Sequence, residues 1–190
     1  MEKWWQADRW LFRLCRRRNQ LSFILYTIYT MTFLQNDYEA PVQESNYVKI
    51  KDGQTIKFRI LSDSITGWVD WKDSKPIRTK TKPEKNVDDT KPAKHFWAFI
   101  IWDYEAGRCK VMEITQATIQ KAIFELYKDS DRGEPTGYDL KVSRKKEWEM
   151  VKYSVLPSNK WEASKEVLEA FFNANPQLEL LFEWGHPLGS

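Results

Sequence analysis

Apolar and polar positions along this chain sort into short strand-like runs, two helical stretches and polar connections, and residues 94–104 dominate the pattern. That run holds five aromatic and two β-branched residues with neither a helix cap nor a proline, so it reads as a long strand. Alternation puts Phe96, Ala98, Ile100, Trp102 and Tyr104 on one face and Trp97, Phe99 and Ile101 on the other. A strand over a single core shows one polar face, yet here His95 and Asp103 only bracket large rings. Either protein covers both faces, or one face presents rings to a ligand that favours flat apolar surfaces.

Upstream, Ile56, Phe58 and Ile60 alternate with Lys57 and Arg59 as a half-buried strand. Gly67–Trp71 reads as a bend or short strand. Residues 72–93 read as a long polar loop carrying Lys72, Lys75, Arg78, Lys80, Lys82, Lys85 and Lys91 with three prolines. Downstream, Asp103–Gly107 turns the chain into a strand over 108–114. Thr115 is expected to cap a helix that stacks Ile119, Ala122, Ile123 and Leu126 and ends at Asp129–Gly133. Tyr138, Leu140 and Val142 mark a strand to Ser143, and residues 144–149 a charged hairpin connection. Val151, Tyr153 and Val155 mark a last strand that stops at Pro157. A second helix over 162–173 gathers Val167, Leu168, Phe171 and Phe172.

Three strands, one helix and two strands is the order of the OB-fold, a five-stranded barrel that binds oligonucleotides on its second and third strands and adjoining loops. The expected architecture is therefore mainly β: a five-stranded OB-fold barrel with one helix between strands three and four, plus a C-terminal helix. Residues 31–160 would form this domain, residues 1–30 an extension, and residues 161–190 the C-terminal helix and an acidic, apolar tail.

Charge sharpens the picture only once it is divided. The net +3 of the 190 residues separates into +4 over 1–30, −3 over 31–46, +6 over 47–160 and −4 over 161–190. A basic body suits a polyanion and the tail does not. Ten tryptophans and ten phenylalanines add an aromatic load suited to stacking. Residues 1–30 put basic residues ahead of an apolar run, but the small-residue cleavage site of a signal peptide is missing. The run Leu21–Leu34 is 14 residues, short of the roughly 20 a membrane helix needs. Met31 is read as the natural start. Cys15 and Cys109 are too few for a disulfide framework, which points to a reduced cytoplasmic compartment.

The segments Met31–Leu34, Tyr47–Gly53, Phe58–Ser62, Gly67–Trp68, His95–Tyr104, Glu113–Gln116, Gly133–Asp139 and Leu180–Phe182 give the chain a resemblance to the OB-fold single-stranded DNA-binding proteins of tailed bacteriophages. It spans Met31 to about Trp184 and implies coating of single-stranded DNA during replication and recombination, in the host cytoplasm for a phage protein. No cofactor and no metal is expected, and the protein is not expected to be an enzyme.

The candidate DNA-binding residues follow. On the central strand Trp97 and Phe99 are assigned to the outer face, in phase with the polar ends His95 and Asp103, and Phe96, Ala98, Ile100 and Trp102 to the core. The alternative is that the helix or the extension covers the outer row. Lys57, Arg59 and Lys110 would meet phosphates from neighbouring strands, or form a solvated face. Arg78, Lys80, Lys82 and Lys94 belong to the cationic loop and its exit, Trp68 and Trp71 flank it, and Arg144, Lys145 and Trp148 lie between strands four and five. Stacking a base on such a ring is worth roughly 1–3 kcal/mol whichever base it is. Leu180, Leu181, Phe182 and Trp184 are the candidate partner-docking residues, for replication or recombination proteins. The tail is either a switch that leaves the cationic groove when DNA arrives or a permanent part of the packed domain. Alternatives of other classes are an OB-fold nuclease using Asp63, Asp70 and Asp73, a polymerase accessory factor, and a protein-binding phage structural component. His95 and His186 lack metal-site spacing, Cys109 has no nearby histidine, and no glycine-rich phosphate loop is present.

Overall fold

The computed structural model describes residues 45–84 and 91–189. Its strands and helices run in the order β1 (Thr55–Ile60), β2 (Ile65–Lys72), β3 (Lys75–Thr79), β4 (Lys94–Asp103), β5 (Arg108–Ile114), α1 (Ala117–Lys128), β6 (Tyr138–Glu147), β7 (Met150–Lys160) and α2 (Lys165–Ala174). Single 3-10 segments cover Pro135–Gly137 and Leu178–Glu183. The expectations for residues 1–30, for Met31 and for Lys85 lie outside the described residues.

β4 is the aromatic run, and three strands pair with it. Along one edge β2 pairs from Val69 opposite Lys94 to Ile65 opposite Ala98, and β1 from Ile60 opposite Ile101 to Phe58 opposite Asp103. β5 takes the other edge. Between β1 and β2 the chain kinks but the ladder is patched. Leu61 N–H donates to Ile100 O at 2.9 Å, and Ile100 N–H donates to the Ser62 hydroxyl at 2.9 Å. One hydroxyl thus stands in for a backbone carbonyl and lets two short strands serve one long one.

β6 pairs with β1, and β7 with β6, so the sheet runs β3-β2-β4-β1-β6-β7 with β5 beside β4. All seven strands pair antiparallel, which meets the mainly β expectation, but the sheet is unclosed. β5 and β7, whose pairing would complete a five-stranded barrel, form no ladder. The free edge of β5 is engaged elsewhere: Val111 N–H donates to Asn46 O at 2.8 Å and Val111 O accepts from Val48 N–H at 3.0 Å. The edge is thus covered at Val111, which blunts it as a template for another strand. α1 follows the fifth strand in chain order, not the third, and packs against β7.

Other local expectations shift for identifiable reasons. The polar loop contains the β2–β3 hairpin, whose turn residues Asp73 and Ser74 both have positive φ, 49° and 64°, as in a type I′ turn. Residues 144–147 extend β6, and only Trp148 and Glu149 make the turn. β7 passes through Pro157 to Lys160, which an edge strand tolerates and a register shift beside Leu140 accommodates. Gln116, not Thr115, precedes α1 and makes no side-chain cap. α2 starts later than expected, with the Ser164 hydroxyl accepting from Val167 N–H.

Both faces of β4 are buried. Phe99 and Ile101, with Trp97 packed alongside, join Phe58, Met112, Ile114, Ile119, Ile123, Tyr138, Leu140 and Val142 in one core. Phe96, Ala98 and Ile100 join Val69, Val111 and Leu181 in a second, against which Phe171, Leu178, Phe182 and Leu188 pack. The C-terminal segment is therefore a wall of the domain. Gly67 permits its close approach, because a Cβ there would lie 2.7 Å from Thr79 O and 2.9 Å from Phe182 Cε1. In α2, Phe171 packs against this core and Val167 is buried, while Leu168 and Phe172 remain exposed.

If the second core contributes to stability, Leu181→Ala should cost about 2–5 kcal/mol in urea unfolding. A loss below about 0.5 kcal/mol, the range of an exposed substitution, would show that the tail adds nothing to the fold.

Candidate nucleic-acid interface

Burial of the acid that each meets divides the sequence-predicted cations into two groups. Arg59 is 1% exposed and serves as an internal clamp between β1, β6 and the end of β7. Its Nε donates to Asp139 Oδ1 at 2.8 Å, its Nη1 donates to the carbonyls of Thr136 and Trp161, each at 3.0 Å, and its guanidinium lies 4.8 Å from the Trp161 ring centroid. Lys57 Nζ comes within 2.9 Å of Asp139 Oδ2, an ion pair outside ideal hydrogen-bond angles, and stands 4.4 Å over the Tyr104 ring. The Tyr104 hydroxyl donates to Asp139 Oδ1 at 3.0 Å. Burial pushes the Asp139 carboxyl up, but the hydrogen bonds from Arg59 and Tyr104 and the close Lys57 ammonium outweigh it and hold the group below the usual carboxylate range. Burial, reinforced by that carboxylate, pushes Tyr104 up to about 12.

Arg78 and Lys110 are held in the same way. Arg78 donates through Nε and Nη2 to Glu113 Oε2 at 3.0 and 2.7 Å, tying β3 to β5, and Lys110 Nζ lies 2.8 Å from Asp103 Oδ2. The assignment of Arg59 to an open phosphate-binding face is thus corrected: the side chain is buried, and its Nε and Nη1 are taken by partners inside the domain. Phe99, expected on an outer face, is 2% exposed and belongs to the first core. Trp97 is half-buried and helps form a groove of about 420 Å³ between the β1–β2 kink and α1, with Phe124 and Tyr127 opposite. The row expected in the core, Phe96, Ala98 and Ile100, is indeed buried, but under the C-terminal segment.

The second group is exposed. Lys80 pairs with Glu179 at 2.8 Å, and Lys145 and Lys152 share Glu147 at 3.0 and 2.6 Å, all on the surface, where such pairs are worth about 0–1 kcal/mol. A phosphate can replace those partners; it cannot replace Asp139. Lys82 Nζ lies 5.4 Å over the half-buried Trp68 ring, which meets His95 edge-on at 5.4 Å. Trp71 is 52% exposed and shares a groove of about 490 Å³ with Lys91 and Lys94, together with Asp70 and Asp73. Trp148 is 96% exposed at the β6–β7 tip with φ +59°, beside Lys145 and Lys146, while Arg144 is half-buried and anchors the strand through its backbone to Gln54 and Gly53. The β2–β3 and β6–β7 tips leave opposite ends of the sheet, since β2 pairs with the start of β4 and β6 with the start of β1.

No protein-family model, curated protein or solved structure matches this chain.

Of the predicted docking residues, Leu181 is core, Phe182 packs on Phe96 with centroids 6.0 Å apart, and Leu180 is half-buried, so these three are not free to reach a partner. Trp184 alone is well exposed. Asp63, Asp70 and Asp73 are not gathered: among the described residues no group of three or more His, Cys, Asp or Glu is placed to hold a metal. Among them too, no helix is long and apolar enough to cross a membrane. Burial raises the Cys109 thiol, away from thiolate. The sequence reading missed Trp161, which follows Lys160 at the end of β7 and whose only local signal was a tryptophan among charges.

Because Asp139 is depressed in the folded protein, the folded state binds fewer protons than the unfolded one as pH falls. The stability it contributes is present above the unfolded value near 3.9 and is lost as pH drops through the lower folded value. Asp139→Asn should flatten part of that acid slope in pH-dependent unfolding, since Asp103 and Glu147, also depressed, still contribute to it. At neutral pH it should cost about 3–5 kcal/mol, because Arg59 would stay buried without its counter-charge.

Proposed function

We propose that the protein binds single-stranded DNA without base preference, as a coating factor in replication or recombination, on a sheet that is an OB barrel left open between β5 and β7. What carries this reading is the company kept by the exposed tryptophans. Trp71 lies with Lys91 and Lys94, Trp148 with Lys145 and Lys146, and Trp161 with Lys57, Arg59 and Lys160. A solvent-exposed indole gains little in the free protein, and a ring beside a cation offers a base a stacking surface and its phosphate a counter-charge. The strand pairing supports the barrel: β1 with β4, β4 with β5, β1 with β6 and β6 with β7 are four of the five contacts that a closed barrel of these strands would make. The protein would work in the cytoplasm. Trp184, exposed beside Glu183 and away from these lysines in sequence, is where a protein partner would meet the tail.

Titration of the full chain with oligo-dT tests the reading. With about four phosphates neutralised, log K should fall against log salt with a slope near −3, from about −0.7 per contact on single strands. Equal affinity for duplex, or no dependence on salt, would sink it. Trp148→Ala should weaken binding by about 1–3 kcal/mol and leave the melting temperature unchanged. A variant that melts earlier and binds as before would remove Trp148 from the interface.

A further inference from the structure

Arg59 has five N–H donors, and three of them are accounted for by Asp139, Thr136 and Trp161. The remaining nitrogen, Nη2, is buried and has no hydrogen-bond partner among the described residues. Buried donors are nearly always paired, so a spare donor group on a side chain this enclosed calls for a partner. Arg59 forms part of the wall of a groove of about 570 Å³, together with Lys160, Trp161, Glu162 and the Thr136–Gly137 backbone.

The charges around this groove leave one positive charge, with Lys57, Arg59 and Lys160 set against Asp139 and Glu162. A group with a single negative charge matches that balance better than a doubly charged one. Flat apolar surface adjoins it: the Arg59 guanidinium lies 4.8 Å from the Trp161 ring centroid, and Trp161 as a residue is 43% exposed. Trp161 is tethered by its backbone, N–H to Gly137 O at 3.2 Å and O to Arg59 Nη1, so its ring can tilt without breaking those bonds.

We infer that this groove is a subsite for one phosphodiester of a bound single strand, with Arg59 Nη2 and Lys160 as its donors and Trp161 as the platform for the adjoining base. It rests on the single-strand reading above and places one nucleotide of the strand. The ring tilts off the guanidinium, a phosphate oxygen reaches Nη2, and the indole exchanges a cation for a base. Asp139 keeps Nε and thereby holds the guanidinium in place while the anion comes and goes.

Replacing Arg59 would unfold the clamp, so the test uses its neighbours and its own protons. In the full chain, Lys160→Gln should reduce the magnitude of the salt slope for oligo-dT by about 0.7, one contact on a single strand. Trp161→Ala should weaken oligo-dT binding about five- to a hundredfold, the loss of one stacked base. The Arg59 Nη2 proton signals in ¹⁵N spectra should move with saturating oligo-dT and stay in place with inorganic phosphate at equal concentration. If oligo-dT binds but both variants keep the parent affinity and slope and the Arg59 signals do not move, the subsite is wrong while the single-strand reading stands. If oligo-dT does not bind at all, that reading falls and takes the subsite with it. Movement with inorganic phosphate alone would overturn the diester assignment.

Discussion

A strand without a polar face needs a partner on each side, and β4 imposes that demand on the whole domain. Burying a large apolar side chain is worth roughly 1.5–3 kcal/mol, and β4 carries such side chains on both faces, so neither can be left to water. β1, β5, β6 and α1 answer on one side; Val69, Val111 and the segment from α2 through Leu188 answer on the other. The kink at Leu61–Ser64 follows from the same demand, since a strand of ten residues needs its edge paired along its length and neither β1 nor β2 is long enough alone.

Charge is organised by depth. Asp139 is enclosed with Arg59, Lys57 and Tyr104 about it, and Glu113 and Asp103 are partly buried with Arg78 and Lys110. These pairs join strands distant in sequence, and breaking one strands a desolvated charge. The lysines of the hairpin tips pair only with exposed carboxylates and are bound by little. Basic residues of similar appearance in the sequence therefore do different work, and the difference is set by whether an acid from another strand is buried against them.

How far the sequence was legible follows from the same facts. The strand at β4, the alternation of Tyr138, Leu140 and Val142, and the stripe Ile119–Ile123 were visible because each is a local period, and all are buried as the periods require. The facing of β4 was not, because two apolar rows carry no phase. His95 and Asp103 misled because protein contacts hold them: Asp103 Oδ1 accepts from Glu105 and Ala106 N–H in the β4–β5 turn, and His95 meets Trp68 across the β2–β4 ladder. The β2–β3 turn went unseen because Asp73 and Ser74 adopt positive φ without the glycine or asparagine that advertises it. Burial of Arg59 was invisible because Asp139 lies 80 residues away. The charged connection carrying Lys145 and Trp148 was readable, since exposure there needs no distant partner, whereas the sequence did not decide which of Trp68 and Trp71 is exposed.

The docked C-terminal segment also sets an order of events in synthesis. Phe96, Ala98 and Ile100 are made midway along the chain, and their cover, Leu178, Leu181, Phe182 and Leu188, comes some eighty to ninety residues later. While the chain is growing, one side of β4 is complete before the other has its wall, and an aromatic strand face stands open to neighbouring chains. Contacts closed over such a separation in sequence are also the slow ones to form. Yield on expression should therefore depend on what shields that face during translation, and a chain interrupted before residue 178 would leave the ribosome with an apolar strand face uncovered.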